Sequence, residues 1–105
     1  MPIRQNVSGD SYEFLVSGRI DGAAANEMEE NVLKAEKDGA KEIFINLSEA
    51  DFICSAGIRV IMQHWRQMKA QGRKLLVTRP SPPVDEILSM TGFRDSIVEN
   101  PAARS

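Results

Sequence analysis

Three side chains of this sequence could do chemistry from where they stand: Ser55, its neighbour Cys54, and His64. Ser55 follows Asp51-Phe52-Ile53-Cys54 and precedes Ala56-Gly57, just where Ile58, Ile61, Met62 and Trp65 begin a helical spacing. A hydroxyl at a helix start meets unpaired backbone N–H groups and the positive end of the dipole, which favour negative charge. Two uses follow. Ser55 is either an acceptor for a phosphoryl group or a plain N-cap, and as a cap its loss in Ser55→Ala costs about 1 kcal/mol. Cys54 has two readings as well. It is a thiol made acidic by the same helix end, as a redox sensor needs, or a small residue buried at the end of an inner loop.

His64 lies about 13 Å further along the helix axis at 1.5 Å per residue, too far to act as a base for Ser55. It reads as a surface or half-buried helix residue. The phosphate loop G-x-x-x-x-G-K-S/T, the dinucleotide fingerprint G-x-G-x-x-G and the nucleophile elbow G-x-S-x-G are all missing. A single cysteine excludes an internal disulfide, and with His64 alone it cannot complete a metal site. A protein without catalytic residues, metal or cofactor is expected.

The 105 residues suit one domain spanning 1–105. A formal net charge of -2 names neither a nucleic-acid nor a membrane partner. No apolar run approaches the roughly 20 residues of a membrane span, and Met1-Pro2-Ile3-Arg4 lacks the regions of a signal peptide. A cytoplasmic protein with no membrane insertion is expected. Charge is uneven, however. Acids dominate Asp21 to Asp51, whereas Phe52 to Val84 holds no acid but carries Arg59, Arg66, Lys69, Arg73, Lys74 and Arg79. Dipole complementarity accounts for Lys69 and Arg73 near a helix end; the alternative is a cationic surface beside Ser55 that meets an acidic partner or a nucleotide.

The elements that position these residues alternate. Ile3 to Val7 and Tyr12 to Ser17 read as strands joined by Ser8-Gly9-Asp10-Ser11. Gly18 to Gly22 breaks the second strand and offers Asp21 as N-cap of a helix from Ala24 to Asp38, with Ala25, Met28, Val32 and Ala35 inward. Ile43 to Leu47 is a buried strand, Ser48 to Asp51 its exit loop, and Ser55 to Gln71 the next helix, stopped by Gly72. On that helix Trp65 continues the core stripe. Lys74 to Thr78 is a strand, Pro80-Ser81-Pro82-Pro83 a rigid break, Val84 to Met90 a third helix with Val84, Ile87 and Leu88 inward, and Ile97-Val98 a last short strand. The result is an α/β domain with a mixed sheet and helices mainly on one side. Tyr12, Glu13 and Ser17 point to a sheet face in water.

Gly18-Arg19-Ile20-Asp21, Ile45-Asn46-Leu47-Ser48 with Asp51-Phe52-Ile53, Cys54-Ser55-Ala56-Gly57, Gly72-Arg73-Lys74-Leu75 and Thr91-Gly92-Phe93 occur in an order that resembles a STAS domain of the anti-sigma factor antagonist type. The resemblance runs from about Ile3 to Val98. In that family the helix-start motif reads Asp-Ser-Ser/Thr-Gly and its first serine accepts phosphate, which implies Ser55 here. It implies a partner-switching protein. Unphosphorylated, such a protein binds a serine kinase of the histidine-kinase-like ATPase fold that also acts as anti-sigma factor; phosphorylation ends the binding and a PP2C-type phosphatase restores it. The implied partner surface takes Asp21, Cys54, Ser55, Ala56 and Gly57 at the helix start, with Arg59, Gln63 and Arg66 on the side left outward by the Ile58, Ile61, Met62 and Trp65 stripe.

Cys54 stands where the family has an acid, Asn46 replaces a frequent aspartate, Ala56 replaces the second hydroxyl, and the terminal helix looks short or absent. The resemblance also allows an accessory subunit of a lipid-transport ABC assembly, without phosphorylation, or weak nucleotide binding near Gly18, Asp21 and Ser55.

Overall fold

A computed structural model describes residues 3–99. Strands β1 (Ile3–Ser8) and β2 (Ser11–Val16) form the hairpin, antiparallel with Val7 opposite Tyr12. Strands β4 (Glu42–Asn46) and β6 (Lys74–Thr78) join β2 in parallel, giving a mixed sheet in the order β1-β2-β4-β6. Parallel neighbours need crossovers, and the helices supply them. Helix α1 (Gly22–Lys37) lies between β2 and β4 in the chain, and α2 (Ser55–Ala70) between β4 and β6. Helices α3 (Pro82–Ser89) and α4 (Arg94–Ile97) follow β6.

One face of the sheet is the core. Phe14, Val16, Ile43, Ile45, Leu75 and Val77 are buried on it with Met28 and Val32 of α1, Ile61 and Met68 of α2, and Val84 and Leu88 of α3. Full burial of each large side chain contributes about 2 kcal/mol. The opposite face presents Glu13, Leu15, Phe44, Asn46 and Leu76, all half-buried. Tyr12, expected to face water, packs partly against the core, because pleating puts it on the same side as Phe14 and Val16. Ser17 lies beyond β2 and donates from its hydroxyl to Glu49 at 3.0 Å.

Two segments expected to be irregular are strands. Gly18–Ile20 (β3) and Ala50–Ile53 (β5) pair in parallel as a separate two-stranded sheet, with Arg19 opposite Phe52 and Ile20 opposite Ile53. Their shortness leaves no alternation to read, and the ladder that makes them strands is entirely non-local. At the far end the expected strand Ile97-Val98 resolves differently. Ile97 closes the single turn of α4, and only Val98 bridges Val77 in parallel. Helix α3 starts earlier than expected, with Ser81 as N-cap receiving the Val84 N–H at 3.4 Å; the two prolines need no N–H in a first turn. The expected shortness of a terminal helix concerns residues 100–105, outside the described residues.

Helix α2 is turned relative to the expected stripe. Its buried residues are Gly57, Val60, Ile61, His64 and Met68, while Ile58, Met62 and Trp65 form a half-buried flank. His64 is therefore a core residue at 1% exposure, not a surface one. Two glutamates of α1 explain this: Glu29 lies 3.1 Å from Nε2 and Glu36 3.3 Å from Nδ1, so each ring nitrogen faces a carboxylate within the seam.

Candidate functional site

The small β3–β5 sheet brings two helix starts side by side. Ile20 and Ile53 are paired, so Asp21 and Cys54, the residues that follow them, leave neighbouring strands together at the roughly 4.8 Å strand spacing. The Cys54 N–H donates to the Ile20 carbonyl at 2.9 Å and fixes this adjacency. Asp21 caps α1 as expected, its Oδ1 accepting the Ala24 N–H at 3.0 Å.

The start of α2 is built differently. Cys54, not Ser55, is its N-cap, in extended conformation (φ -84°, ψ 171°), and the thiol makes no capping bond. Ser55 is thus the first helical residue, exposed, and its hydroxyl caps nothing. The N-cap reading of Ser55 is corrected by this geometry. The first-turn N–H groups have no capping side chain, and no acid stands in that turn to offset the dipole. Cys54 is half-buried, short of the full burial expected of a packing residue.

Ala56 is half-buried, while Gly57 is buried beneath the helix start and offers no surface to a partner. A Cβ on Gly57 would stand 2.8 Å from Ile53 Cγ1 and 3.1 Å from Ile20 Cγ2, so glycine is what lets α2 begin so close to β3 and β5. Gly57 shapes the site from below.

Outward on α2, Arg59, Gln63 and Arg66 are exposed. Arg59 stands one turn after Ser55 on the same side of the helix and, among the described residues, takes part in no ion pair. One pair beside the site was not foreseen. Arg19 lies over the Phe52 ring at 3.9 Å, two residues before Asp21 and Cys54 on the two short strands. Recognising β3 and β5 would have placed them there.

Trp65, expected in the core, is only partly covered, its ring 6.5 Å from that of Phe93 and 5.2 Å from Lys69 Nζ. Asn46 lies on the sheet face away from the helices. It donates to Glu13 at 3.2 Å and accepts the Ser48 N–H at 3.0 Å. Arg94 staples α4 to α3 through Asp85 at 2.6 Å, and this bond, with a second to Asp95, holds its guanidinium above the ordinary arginine range. Among the described residues no cluster of three or more His, Cys, Asp and Glu side chains is placed to hold a metal. No described helix is long and apolar enough to cross a membrane.

A mixed sheet with a small second ladder, carrying an uncapped helix start beside a capped one, defines a compact α/β module. The chain belongs to the STAS domain family, whose model matches residues 3–104. In sequence it is similar to the anti-sigma-B factor antagonist of Staphylococcus aureus (strain NCTC 8325 / PS 47), 24% identical over 84 residues that cover 80% of this chain and 78% of the relative. In structure it is similar to the anti-sigma factor antagonist SpoIIAA in its unphosphorylated form, with a TM-score of 0.81 at 18% identity, covering 98% of this chain and 92% of that one. It is also similar to the Bacillus cell fate determinant SpoIIAA in the phosphorylated form, with a TM-score of 0.76 at 16% identity, covering 93% and 89%. At these identities the structural likeness is one of fold.

Proposed function

We propose that this protein is a phosphorylation-controlled partner switch of the anti-sigma factor antagonist type, with Ser55 as its phosphoacceptor. The observation that carries the reading is the exposed Ser55 hydroxyl at a helix start whose N–H groups no side chain caps. The sequence relative, named an anti-sigma-B factor antagonist, supports the general role. A relative of the same fold known in a phosphorylated form supports the control.

Phosphate on Ser55 adds about -1.5 to -2 charges at neutral pH. Free first-turn N–H groups and Arg59 one turn on are placed to receive that charge, so the domain holds it without unfolding. A partner seated on the same surface meets new bulk and charge. A loss of about 3 kcal/mol there lowers affinity more than a hundredfold. The partner in this reading is a serine kinase of the histidine-kinase-like ATPase fold that doubles as anti-sigma factor, reset by a PP2C-type phosphatase. Asp21, Cys54, Ser55, Ala56, Arg59, Gln63 and Arg66 form the contact surface. No reaction is catalysed by the protein itself.

Incubation with a serine kinase of the histidine-kinase-like ATPase fold and ATP, followed by mass-spectrometric site mapping, tests the reading. Phosphate on Ser55 is expected. Phosphate only on Ser48 or Thr91 removes Ser55 from the role. No phosphate at all favours an accessory subunit of a transport assembly. The nucleotide-binding alternative draws less from the geometry, since the Gly18 N–H is bonded to the Glu49 carbonyl at 2.9 Å and the Asp21 carboxylate caps α1.

A further inference from the structure

Cations and apolar side chains share one outward strip of α2. Arg59, Met62, Arg66 and Lys69 succeed one another at spacings of three and four residues, and Trp65 borders them. Trp65 leans on Phe93, which is 42% exposed, and Met90, at 78%, stands exposed just after α3. Beside Trp65, at the free edge of β6, lies a cleft of about 330 Å³ whose floor includes Leu75 and Leu76 and whose rim carries Lys69, Arg73 and Lys74; no acid lines it.

We propose that this cleft docks an acidic segment of a partner protein, with an aromatic or aliphatic side chain as its anchor against Trp65 and Phe93. Exposed aromatic surface beside a cleft that a partner can fill is where binding energy concentrates in protein interfaces. The surrounding charge selects the partner. Arg73 is spent on the Ala40 and Glu36 carbonyls, and Lys74 lies 3.7 Å from Glu42. That leaves Arg66, without an ion pair among the described residues, and Lys69, held only over the Trp65 ring. With Arg59 further along the strip, three available cations are few for a nucleic acid, whose binders neutralise about 6–10 phosphates. Arg66 and Lys69, the two nearest Trp65, suit two carboxylates flanking an anchor. Of the chain's own acids, Glu29 and Glu36 are occupied by His64, and Asp85 and Asp95 by Arg94, whereas Glu30 and Glu86 stand exposed, so docking of a second copy is an outcome that the test reads as self-association. Trp65 lies about 15 Å along the axis from Ser55 at 1.5 Å per residue, so the cleft lies well beyond the Ser55 end of α2 and shares only Arg66, at its border, with the contact surface proposed for the switch.

Trp65 is the sequence's single tryptophan, and its emission reports the cleft directly. The probes are a synthetic peptide carrying phenylalanine and leucine among glutamates, the same peptide with lysines for glutamates, and a single-stranded oligonucleotide. The acidic peptide is expected to shift Trp65 emission saturably. Arg66→Glu combined with Lys69→Glu should weaken it at least about tenfold, and Phe93→Ser should weaken it independently, each variant first shown to melt cooperatively. Ser55→Glu should leave peptide affinity unchanged, which separates this surface from the switch whether or not Ser55 is phosphorylated. The inference is overturned by an absent response, by an equal response to the lysine peptide, or by a stronger one to the oligonucleotide. A response indifferent to the charge reversal, abolished by Ser55→Glu, or traced to self-association overturns it as well.

Discussion

His64 of α2 is fixed to Glu36 of α1, with Nδ1 3.3 Å from the carboxylate and side-chain exposures of only 2% and 15%. With Glu29 at 3.1 Å on the other ring nitrogen, the imidazole is the polar pin of an otherwise apolar helix seam. Removing one partner of a buried polar pair leaves the other unsatisfied, at about 3 kcal/mol. His64→Ala should therefore lower the unfolding free energy by about that amount, and Glu29→Gln by much less, because Glu29 is a third exposed. Denaturant melts of the two variants check this. A loss for Glu29→Gln as large as that for His64→Ala would mean that Glu29, not the more buried Glu36, is the partner that holds the ring.

The sequence marks where helices run better than which way they face. The hairpin, α1, β4 and β6 lie within a residue or two of their expected bounds, because alternation, the Asp21 cap and the glycines after helices are local signals. The turn of α2 is not local. Ile58, Met62 and Trp65 looked like its core stripe, yet polar His64 took the inward place because Glu29 and Glu36, far away in sequence, meet it there. Strands β3 and β5 were hidden for a related reason, each being too short to show a pattern without its partner. At the candidate site, the placement of Ser55 at the start of α2, of Asp21 as the cap of α1 and of Arg59 on the outward side was legible. The division of labour between Cys54 and Ser55 was not, since a one-residue shift of the cap is invisible to spacing.

Asn46 is one of two donors to Glu13 on the outer sheet face, bonded to Oε2 at 3.2 Å while Asn6 donates to Oε1 at 3.2 Å. An aspartate there would set two carboxylates against each other. Asn46→Asp is expected to cost about 1 kcal/mol. Glu13→Gln in the same chain should recover most of it, since the amide restores a donor. A double-mutant cycle by chemical denaturation measures the coupling, and additive losses would show that the two side chains do not meet.

Gly57→Ala forces a methyl group to within 2.8 Å of Ile53 Cγ1. Overpacking of this kind costs about 2 kcal/mol. Ile53→Val keeps Cγ1 and should not relieve it, whereas Ile53→Ala should make the pair less damaging than the sum of the single changes. Thermal melts of the natural chain, the three single variants and the two double variants decide the point.

Ser55→Ala should change stability by under about 0.5 kcal/mol, because the hydroxyl is exposed and caps nothing. Ser55→Glu, by contrast, puts a negative charge in the first turn of α2 and should raise stability by about 0.5 kcal/mol at low salt, fading as salt is added. A loss near 1 kcal/mol for Ser55→Ala would return the capping role to the serine.

Cys54→Asp carries the most information, because packing and capping predict opposite signs. If the half-buried thiol served only to pack, a carboxylate in its place would be destabilising through burial without a partner. The backbone at Cys54 is extended, as N-caps are, and its side chain leaves the first-turn N–H groups unclaimed. An aspartate there can accept one of them. The expected outcome is a gain of about 1 kcal/mol, or roughly 4–8 °C in the melting midpoint of a domain this size. The same carboxylate would then compete with a phosphate on Ser55 for those N–H groups and repel it. Phosphorylated Cys54→Asp should accordingly lose most of this gain, while the phosphorylated natural chain should melt no lower than its unphosphorylated form. Paired melts of the two chains before and after phosphorylation measure all four quantities. A lower midpoint for unphosphorylated Cys54→Asp would assign the thiol to packing.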